Sequence, residues 1–444
     1  MLAAQRHSGV RHELLERLTE ARVQTDEIFQ VVKPEALYDR PIAERHRIVF
    51  YIGHLEAFDW NLLHQRAFDL PSFNAELDRL FAFGIDPVGG GLPTDQPSDW
   101  PSLGEVRNYV RRVREILDEK LEVLLDSPAD SSLEFPPSLL LSVAIEHRLM
   151  HAETLAYMLH QLPYDRKITR NAAPESHLQF VQHPEMIDIP AGVATLGQSR
   201  QNGVFGWDNE FERMEVGVPA FVIDRYKVSN GDYLNFLQAG GYEDRAVWSD
   251  KDWEWKSKNG ISHPVFWKRD GDSWRWRGMF EEFPLRLDCP VYVSHAEASA
   301  YARWAGKSLP SEAQWHRAGF GTPDGTENSY PWGETVPTPE LGNFDFERWD
   351  PAPVSSFPAG QSALGVNGML GNAWEWTSTI FGPFPGFEPF SFYPGYSADF
   401  FDGKHYVLKG GSPRTAACML RRSFRNWFQP HYQYVYAGFR CVKN

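Results

Sequence analysis

The stretch Glu146-His147-Arg148-Leu149-Met150-His151-Ala152-Glu153-Thr154-Leu155 lies inside a longer run, Ser138 to Leu162. In that run Leu139, Leu140, Val143, Ile145, Leu149, Leu155, Met158 and Leu159 recur at helical spacing, which predicts one long helix. Pro136 and Pro137 precede it and Pro163 stops it. Two histidines four apart project from one helix face, one turn above the other, so His147 and His151 can reach one metal ion. The same spacing also suits a polar helix edge in solvent, and a divalent metal needs at least a third protein ligand.

A candidate third ligand is His54, in Phe50-Tyr51-Ile52-Gly53-His54-Leu55-Glu56-Ala57-Phe58-Asp59-Trp60-Asn61. Apolar and aromatic neighbours flank it, and an imidazole buried there without a partner is costly. One histidine from one helix plus two from another is how a bundle core builds a site with open coordination positions. Imidazoles suit iron, zinc or copper, and the pattern alone does not choose among them.

Working outward, residues 1 to about 165 read as four helices. The first runs near Arg11 to Val32, with Leu14, Leu15, Leu18, Val23, Ile28 and Phe29 along one side. The second, about Ala43 to Phe68, carries His54. A Gly/Pro-rich connection, Phe83 to Pro97, is too long for a simple turn. Ser102-Leu103-Gly104-Glu105 has the pattern of a capping box opening the third helix, which continues to about Leu125. The His147/His151 helix is the fourth, and four helices with one long crossover make a bundle. Residues 166–183 read as a linker.

After the linker, short strand-like runs alternate with Gly, Pro, Asn and Asp clusters, beginning with Met186 to Gly197. One or two helices are expected there. The clearest is Ser294 to Ala305, with Ser294 as N-cap and Ala298, Tyr301, Ala302 and Trp304 buried. This half, 184–444, is an α+β domain low in regular structure, and it holds most of the 16 Trp, 17 Tyr and 30 Phe.

A chain of 444 residues implies two or three domains. The net charge of −15 leaves no basic face for nucleic acid or an anionic membrane. Three cysteines, Cys289, Cys418 and Cys441, make neither a disulfide framework nor a paired-cysteine metal site, which fits a reducing cytoplasm. Neither a signal-peptide core nor a run of about 18 apolar residues is present. The expectation is a cytoplasmic monomer or small homo-oligomer acting on small molecules.

The second half resembles the formylglycine-generating-enzyme (sulfatase-modifying factor) fold, related to C-type lectins. The residues that carry this are Pro290 to Ser294, Tyr301 to Trp315, Tyr330-Pro331-Trp332-Gly333, Gly371-Asn372-Ala373-Trp374-Glu375-Trp376-Thr377, Gly410-Gly411-Ser412 and Gly438-Phe439-Arg440. Some members of that fold bind a structural Ca(2+). Formylglycine chemistry uses paired copper-binding cysteines after the Gly-Gly-Ser motif, and here Cys418 stands alone in that segment. A DinB-like bundle with three histidines fused to this fold resembles the ergothioneine-biosynthesis sulfoxide synthases. The resemblance covers nearly the whole chain. It implies Fe(2+) at His54, His147 and His151, with O2 activation coupled to carbon–sulfur bond formation on the imidazole of hercynine, the trimethylammonium betaine of histidine.

Phe424-Arg425-Asn426-Trp427 matches that family's motif, whose Asn and Trp cradle the betaine. The resemblance therefore implies substrate contacts at Asn426 and Trp427, and Arg425, Phe428, Tyr432 and Met150 are the further substrate-binding candidates. An indole face attracts a quaternary ammonium with about 1–2 kcal/mol when desolvated. A family tyrosine supplies the acid from the segment before Gly-Gly-Ser, which makes Tyr396 and Tyr393 the candidates here.

Two departures are informative. The place of the family's Phe-Asn-Ser-Tyr-Tyr motif holds Phe81 to Gly90, with no tyrosine. Where the mycobacterial type uses an Asp and an Arg to grip γ-glutamylcysteine, this chain has Phe428 and Tyr432. A neutral aromatic surface suits a sugar face, as in the similar selenoneine synthase branch with its selenosugar donor. Cysteine stays open as a donor, with Arg107, Arg111, Arg112, Arg421 or Arg422 for its carboxylate. A reading of another class is a non-redox metal-bundle thiol transferase or a lectin-like binding module.

Overall fold

The computed structural model describes residues 2–85, 92–126, 133–169 and 185–443. It divides into two compact units, Met1–Asn171 and Ala172–Asn444. The expected linker lies largely outside the described residues, as does part of the Gly-rich connection.

The first unit consists of four long helices, α1 (Leu2–Phe29), α2 (Ile48–Leu63), α4 (Leu103–Asp126) and α5 (Pro137–His160), with a short α3 (Ala75–Phe83) between α2 and α4. Helix α1 packs on α5, and α2 packs on α3, α4 and α5. Leu14, Leu18 and Ile28 are buried as the periodicity predicts, whereas Val23 on α1 is 49% exposed. Helix α2 starts later than its apolar pattern. Arg47 is extended (ψ 155°), and its guanidinium is tied to Asp95 (Nε, 2.9 Å) and the Tyr38 carbonyl (2.8 Å). The helix also ends earlier, because Asp69 takes a left-handed φ of 49° and Leu70 N turns back to the His64 carbonyl.

Helix α3 was not expected. It spans only nine residues, too few for periodicity to stand out, and Asn74 starts it by accepting from Leu77 N. The Ser102–Glu105 capping box forms as read, with Ser102 N donating to Glu105 at 2.9 Å and Glu105 N to Ser102 Oγ at 3.3 Å. Helix α5 begins with Pro137 in its first turn, where a missing N–H has no helical partner to lose.

The second unit begins with β1 (Met186–Ile189), β2 (Gly192–Leu196), β3 (Met214–Val218) and β4 (Phe221–Asp224). Then come α6 (Asn230–Gln238), α7 (Asp250–Lys258), β5 (Trp267–Asp270), β6 (Ser273–Arg277) and β7 (Glu282–Pro284). After α8 (His295–Trp304) and α9 (Glu312–Phe320), β8 (Trp374–Ile380), β9 (Tyr406–Lys409), β10 (Asn426–Phe428), β11 (Ala437–Gly438) and β12 (Val442–Lys443) complete it. Small sheets run β1-β4-β12, β10-β9-β8-β11, β2-β3 and β5-β6-β7. Among the described residues there are four α-helices rather than one or two. Each is short and is started by a serine, Ser229, Ser249, Ser294 or Ser311, accepting from the backbone N–H three residues on. Capping chemistry makes these helices, so a search for apolar periodicity passes over them. Trp304, expected inside, is 38% exposed at the end of α8.

The motifs that carried the resemblance hold this unit together. Arg440 clasps Glu375 through Nε (2.6 Å) and Nη2 (2.9 Å), and Lys227 Nζ joins at 2.9 Å, all buried. Asn372, at φ 67°, uses its amide to bridge Asn343 and both backbone groups of Ala352. Beside it Gly371 takes φ 80°, and a Cβ there would lie 2.5 Å from the Asn343 carbonyl oxygen. Among the described residues no helix is long and apolar enough to cross a membrane.

Candidate active site

In the first unit, α2 delivers His54 and α5 delivers His147 and His151 to one point. Their candidate ligand nitrogens lie within 4.8 Å of one another, the only such group of three His, Cys, Asp or Glu among the described residues. His54 Nε2 is 3.2 Å from His151 Nε2. Two imidazole nitrogens about 2.1 Å from a shared ion, at an angle near a right angle, would stand about 3 Å apart, so the spacing fits. His54 Nδ1 lies 2.7 Å from the Phe81 carbonyl oxygen. That contact places the proton on Nδ1 and leaves the Nε2 lone pair facing the other histidines. Phe58 stacks on His147 at 3.4 Å and 9°, and Phe50 on His54 at 4.8 Å and 24°.

Burial pushes the His54 imidazolium down to about 4, against a smaller upward pull from the Phe81 carbonyl. Burial, and then the neighbouring histidines, hold His147 and His151 well below the ordinary value. All three are therefore neutral at pH 7, with lone pairs to offer a cation. Behind them lies a buried ionic network. Arg148 pairs with Asp59 (2.6 Å) and Glu56 (3.0 Å), and Arg114 links Glu56 (2.7 Å) to Asp26 (2.7 Å). Burial opposes ionisation of Glu56, yet Arg148 and Arg114 bring it down to about 2. Met150 stands one residue before His151 and is half-buried.

In the second unit the Phe424-Arg425-Asn426-Trp427 segment enters β10, where Trp427 is paired in register with Val407 of β9. Trp427 is half-buried, stacked on Phe381 (4.2 Å, 7°), with Tyr396 edge-on at 5.5 Å and Phe400 at 5.6 Å. Asn426 Oδ1 accepts from Trp427 N at 2.8 Å. Phe428 stacks on Tyr432 (5.2 Å, 6°), giving a flat, half-buried aromatic pair. Arg425 is buried beneath this loop. Its guanidinium grips Glu312 (3.0 and 3.1 Å) and donates to the carbonyls of Gly382 (3.0 Å) and Asn209 (3.4 Å). Those four bonds make Arg425 a support for Asn426 and Trp427 and leave little of it for a ligand.

Of the two tyrosines, Tyr396 is buried and stacked on Trp207 at 4.0 Å. Tyr393 is half-buried, and burial followed by the nearby Asp208 carboxylate pushes its hydroxyl up to about 12. It keeps its proton at neutral pH.

Sequence reasoning missed Trp207-Asp208-Asn209-Glu210, which underlies this whole surface. Asp208 accepts from Ser397 (2.6 Å), next to Tyr396, and Glu210 accepts from Ser423 (2.6 Å) and Arg421 Nε (2.8 Å). Three consecutive polar residues inside an aromatic-rich segment were the available signal. Arg422 is 3.1 Å from Glu327, and Arg111 and Arg112 face Glu115 on the surface of α4. Arg107 is exposed. Cys289, Cys418 and Cys441 form no disulfide among the described residues, and of the three Cys418 is exposed.

A DinB superfamily model matches residues 17–155, and a sulfatase-modifying factor enzyme 1-like domain model matches residues 171–444. A hercynine oxygenase of Mycobacterium tuberculosis is 35% identical over 77% of this chain and 78% of its own length. Another, of Mycolicibacterium smegmatis, is 35% identical over 88% of this chain and 89% of its own. Ergothioneine biosynthesis protein 1 of Neurospora crassa is 28% identical, covering 94% of this chain and 56% of its own length.

Proposed function

This chain, a DinB domain followed by a sulfatase-modifying factor enzyme 1-like domain, belongs to the hercynine oxygenase family, and from that premise we propose an Fe(II)- and O2-dependent enzyme that joins a chalcogen atom to the imidazole carbon of hercynine. The observation that carries the reading is the convergence of His54, His147 and His151, three neutral imidazoles within 4.8 Å. Ferrous iron held there supplies O2 activation, and three protein ligands leave coordination positions open.

The chain's own residues do the rest. Trp427 offers its half-buried indole to the trimethylammonium group, and Phe381 stacked behind it holds the ring in one plane. Asn426 supplies an amide beside it. Tyr396 or Tyr393 acts as the acid, the first with its ring edge-on to Trp427 and the second beside the first. Phe428 and Tyr432 on the second unit and Met150 on the first are the further substrate contacts this reading assigns.

For the donor, a neutral molecule such as a selenosugar is the favoured reading. The Phe428–Tyr432 pair presents flat apolar faces, and Arg421 and Arg422 already neutralise Glu210 and Glu327. On that choice one selenol, one imidazole C–H and one O2 give a coupled selenoxide that still carries the sugar, and one water, which makes the reaction a step of selenoneine synthesis. A cysteine or γ-glutamylcysteine donor is the alternative, in which one thiol, one imidazole C–H and one O2 give a sulfoxide and one water. Incubating Fe(II)-loaded protein with hercynine, O2 and each donor in turn, with mass spectrometry of the products, tests both. A coupled product from the selenosugar alone is the expected result. No coupled product from any donor, with iron bound, overturns the function.

A further inference from the structure

We propose that Gly53 and Phe81 are a positioning pair that decides which nitrogen of His54 faces the metal. The inference rests on His54 being a ligand, as argued above, and concerns how the chain presents it.

Gly53 immediately precedes His54 in the middle of α2 and is buried. A Cβ placed on it would lie 2.4 Å from Cδ1 and Cγ of the Phe81 ring, a separation that real side chains do not show. Glycine is a poor residue for a helix interior, so its use here has a steric meaning: it lets α3 approach α2. Phe81 is fully buried in the last turn of α3. Carbonyls in a last turn have no helical partner and are open to other donors. The Phe81 carbonyl accepts a hydrogen bond from His54 Nδ1–H at 2.7 Å, which turns the Nε2 lone pair toward His151 Nε2 at 3.2 Å.

Helix α3 has little room to yield. One turn earlier Asp78 accepts from Trp60 Nε1 (3.0 Å), Tyr109 Oη (2.7 Å) and Ser72 Oγ (2.5 Å). Asn61 Nδ2 holds the Asp78 carbonyl at 3.1 Å. With α3 pinned there, an alanine at position 53 must displace Phe81 and its carbonyl together. Without that acceptor His54 is at liberty to carry its proton on Nε2, which removes the ligating lone pair.

The test uses full-length, metal-free protein labelled with 15N-histidine, together with Co(II) as a probe of affinity. Wild type is expected to show His54 as the Nδ1–H tautomer. Gly53→Ala is expected to show substantial Nε2–H tautomer and Co(II) binding weaker by about 10–100-fold, the range for loss of a partner behind a metal ligand. Phe81→Ala removes the ring and keeps the carbonyl, so it should retain the Nδ1–H tautomer. In Gly53→Ala/Phe81→Ala the added methyl has room, and affinity should return to within about threefold of Phe81→Ala. Gly53→Ala with unchanged tautomer and Co(II) affinity overturns the proposal. So does a double variant as weak as Gly53→Ala beside a tight Phe81→Ala. Should Gly53→Ala not fold, wild type and the double variant decide: Nδ1–H in both supports the pair, and Nε2–H in either overturns it. Unchanged Co(II) affinity in His54→Ala would instead overturn the metal reading, leaving the tautomer result, which needs no metal, to be read separately.

Discussion

Arg148 and Asp59 form an ion pair of 2.6 Å in which neither side chain has any exposure, one residue along α5 from His147. Glu56, two residues past His54, shares the same guanidinium at 3.0 Å. The helices that present the candidate ligands are thus tied by a buried charge cluster directly behind them. Removing the cation strands Asp59 in the core and leaves Glu56 paired with Arg114. Arg148→Met is expected to destabilise the protein by about 3–5 kcal/mol, read by urea denaturation. A loss under about 1 kcal/mol would mean the cluster is open to water.

His151→Ala leaves two imidazoles, which hold Fe(II) weakly. Iron per chain after anaerobic loading and desalting should fall at least about tenfold, measured by elemental analysis. Iron content equal to wild type would count against the three-histidine site.

Trp427→Leu removes the indole face and keeps apolar bulk against Phe381. A cation–π contribution of about 1–2 kcal/mol corresponds to a rise of about 5–30-fold in KM for hercynine. Histidine, which lacks the methyl groups, serves as the control ligand: its weaker binding should change little. Equal losses for both ligands would show that Trp427 only packs.

Tyr396→Phe keeps the stack on Trp207 at 4.0 Å and removes the hydroxyl alone. If that hydroxyl is the acid, kcat falls by about 100-fold or more while KM holds. A loss of that size in Tyr393→Phe, with Tyr396→Phe near wild type, transfers the role to Tyr393.

The Glu375–Arg440–Lys227 cluster predicts a pH dependence. Burial would raise the Glu375 carboxyl, but Arg440 and Lys227 hold it below the usual range. A depressed carboxyl contributes stability above the unfolded-state value of about 4.3, lost as pH falls through the folded value. Glu375→Gln leaves two buried cations without a counter-charge, so its deficit relative to wild type should be largest near pH 7 and shrink below about pH 4. Urea unfolding from pH 3.5 to 7 measures it. A deficit that does not change with pH would exclude the ionic explanation.

Much of the candidate site was legible in the sequence because its signals are local. His147 and His151 share a face by helix geometry, and a proline-bounded apolar run defines α5. The Ser102–Glu105 box marks the start of α4 within four residues. Helix α3 was not legible, being nine residues long and held by contacts to Asp78 that come from α2, α4 and the preceding loop. Val23 and Trp304 were expected inside and lie outward, because apolar character fixes which face prefers burial and the neighbours decide whether it is covered. Arg425 looked like a substrate contact from its place in the motif. Its two bonds to Glu312, distant in sequence, make it a support.

The sequence by itself determined the residue types, the helix faces and the order of motifs, since these follow from spacing and capping within a few residues. Only the tertiary structure decided with which nitrogen His54 faces the other two histidines. That outcome depends on a glycine letting one helix reach another and on a carbonyl at the end of α3, and contacts between separate elements leave no period in the chain.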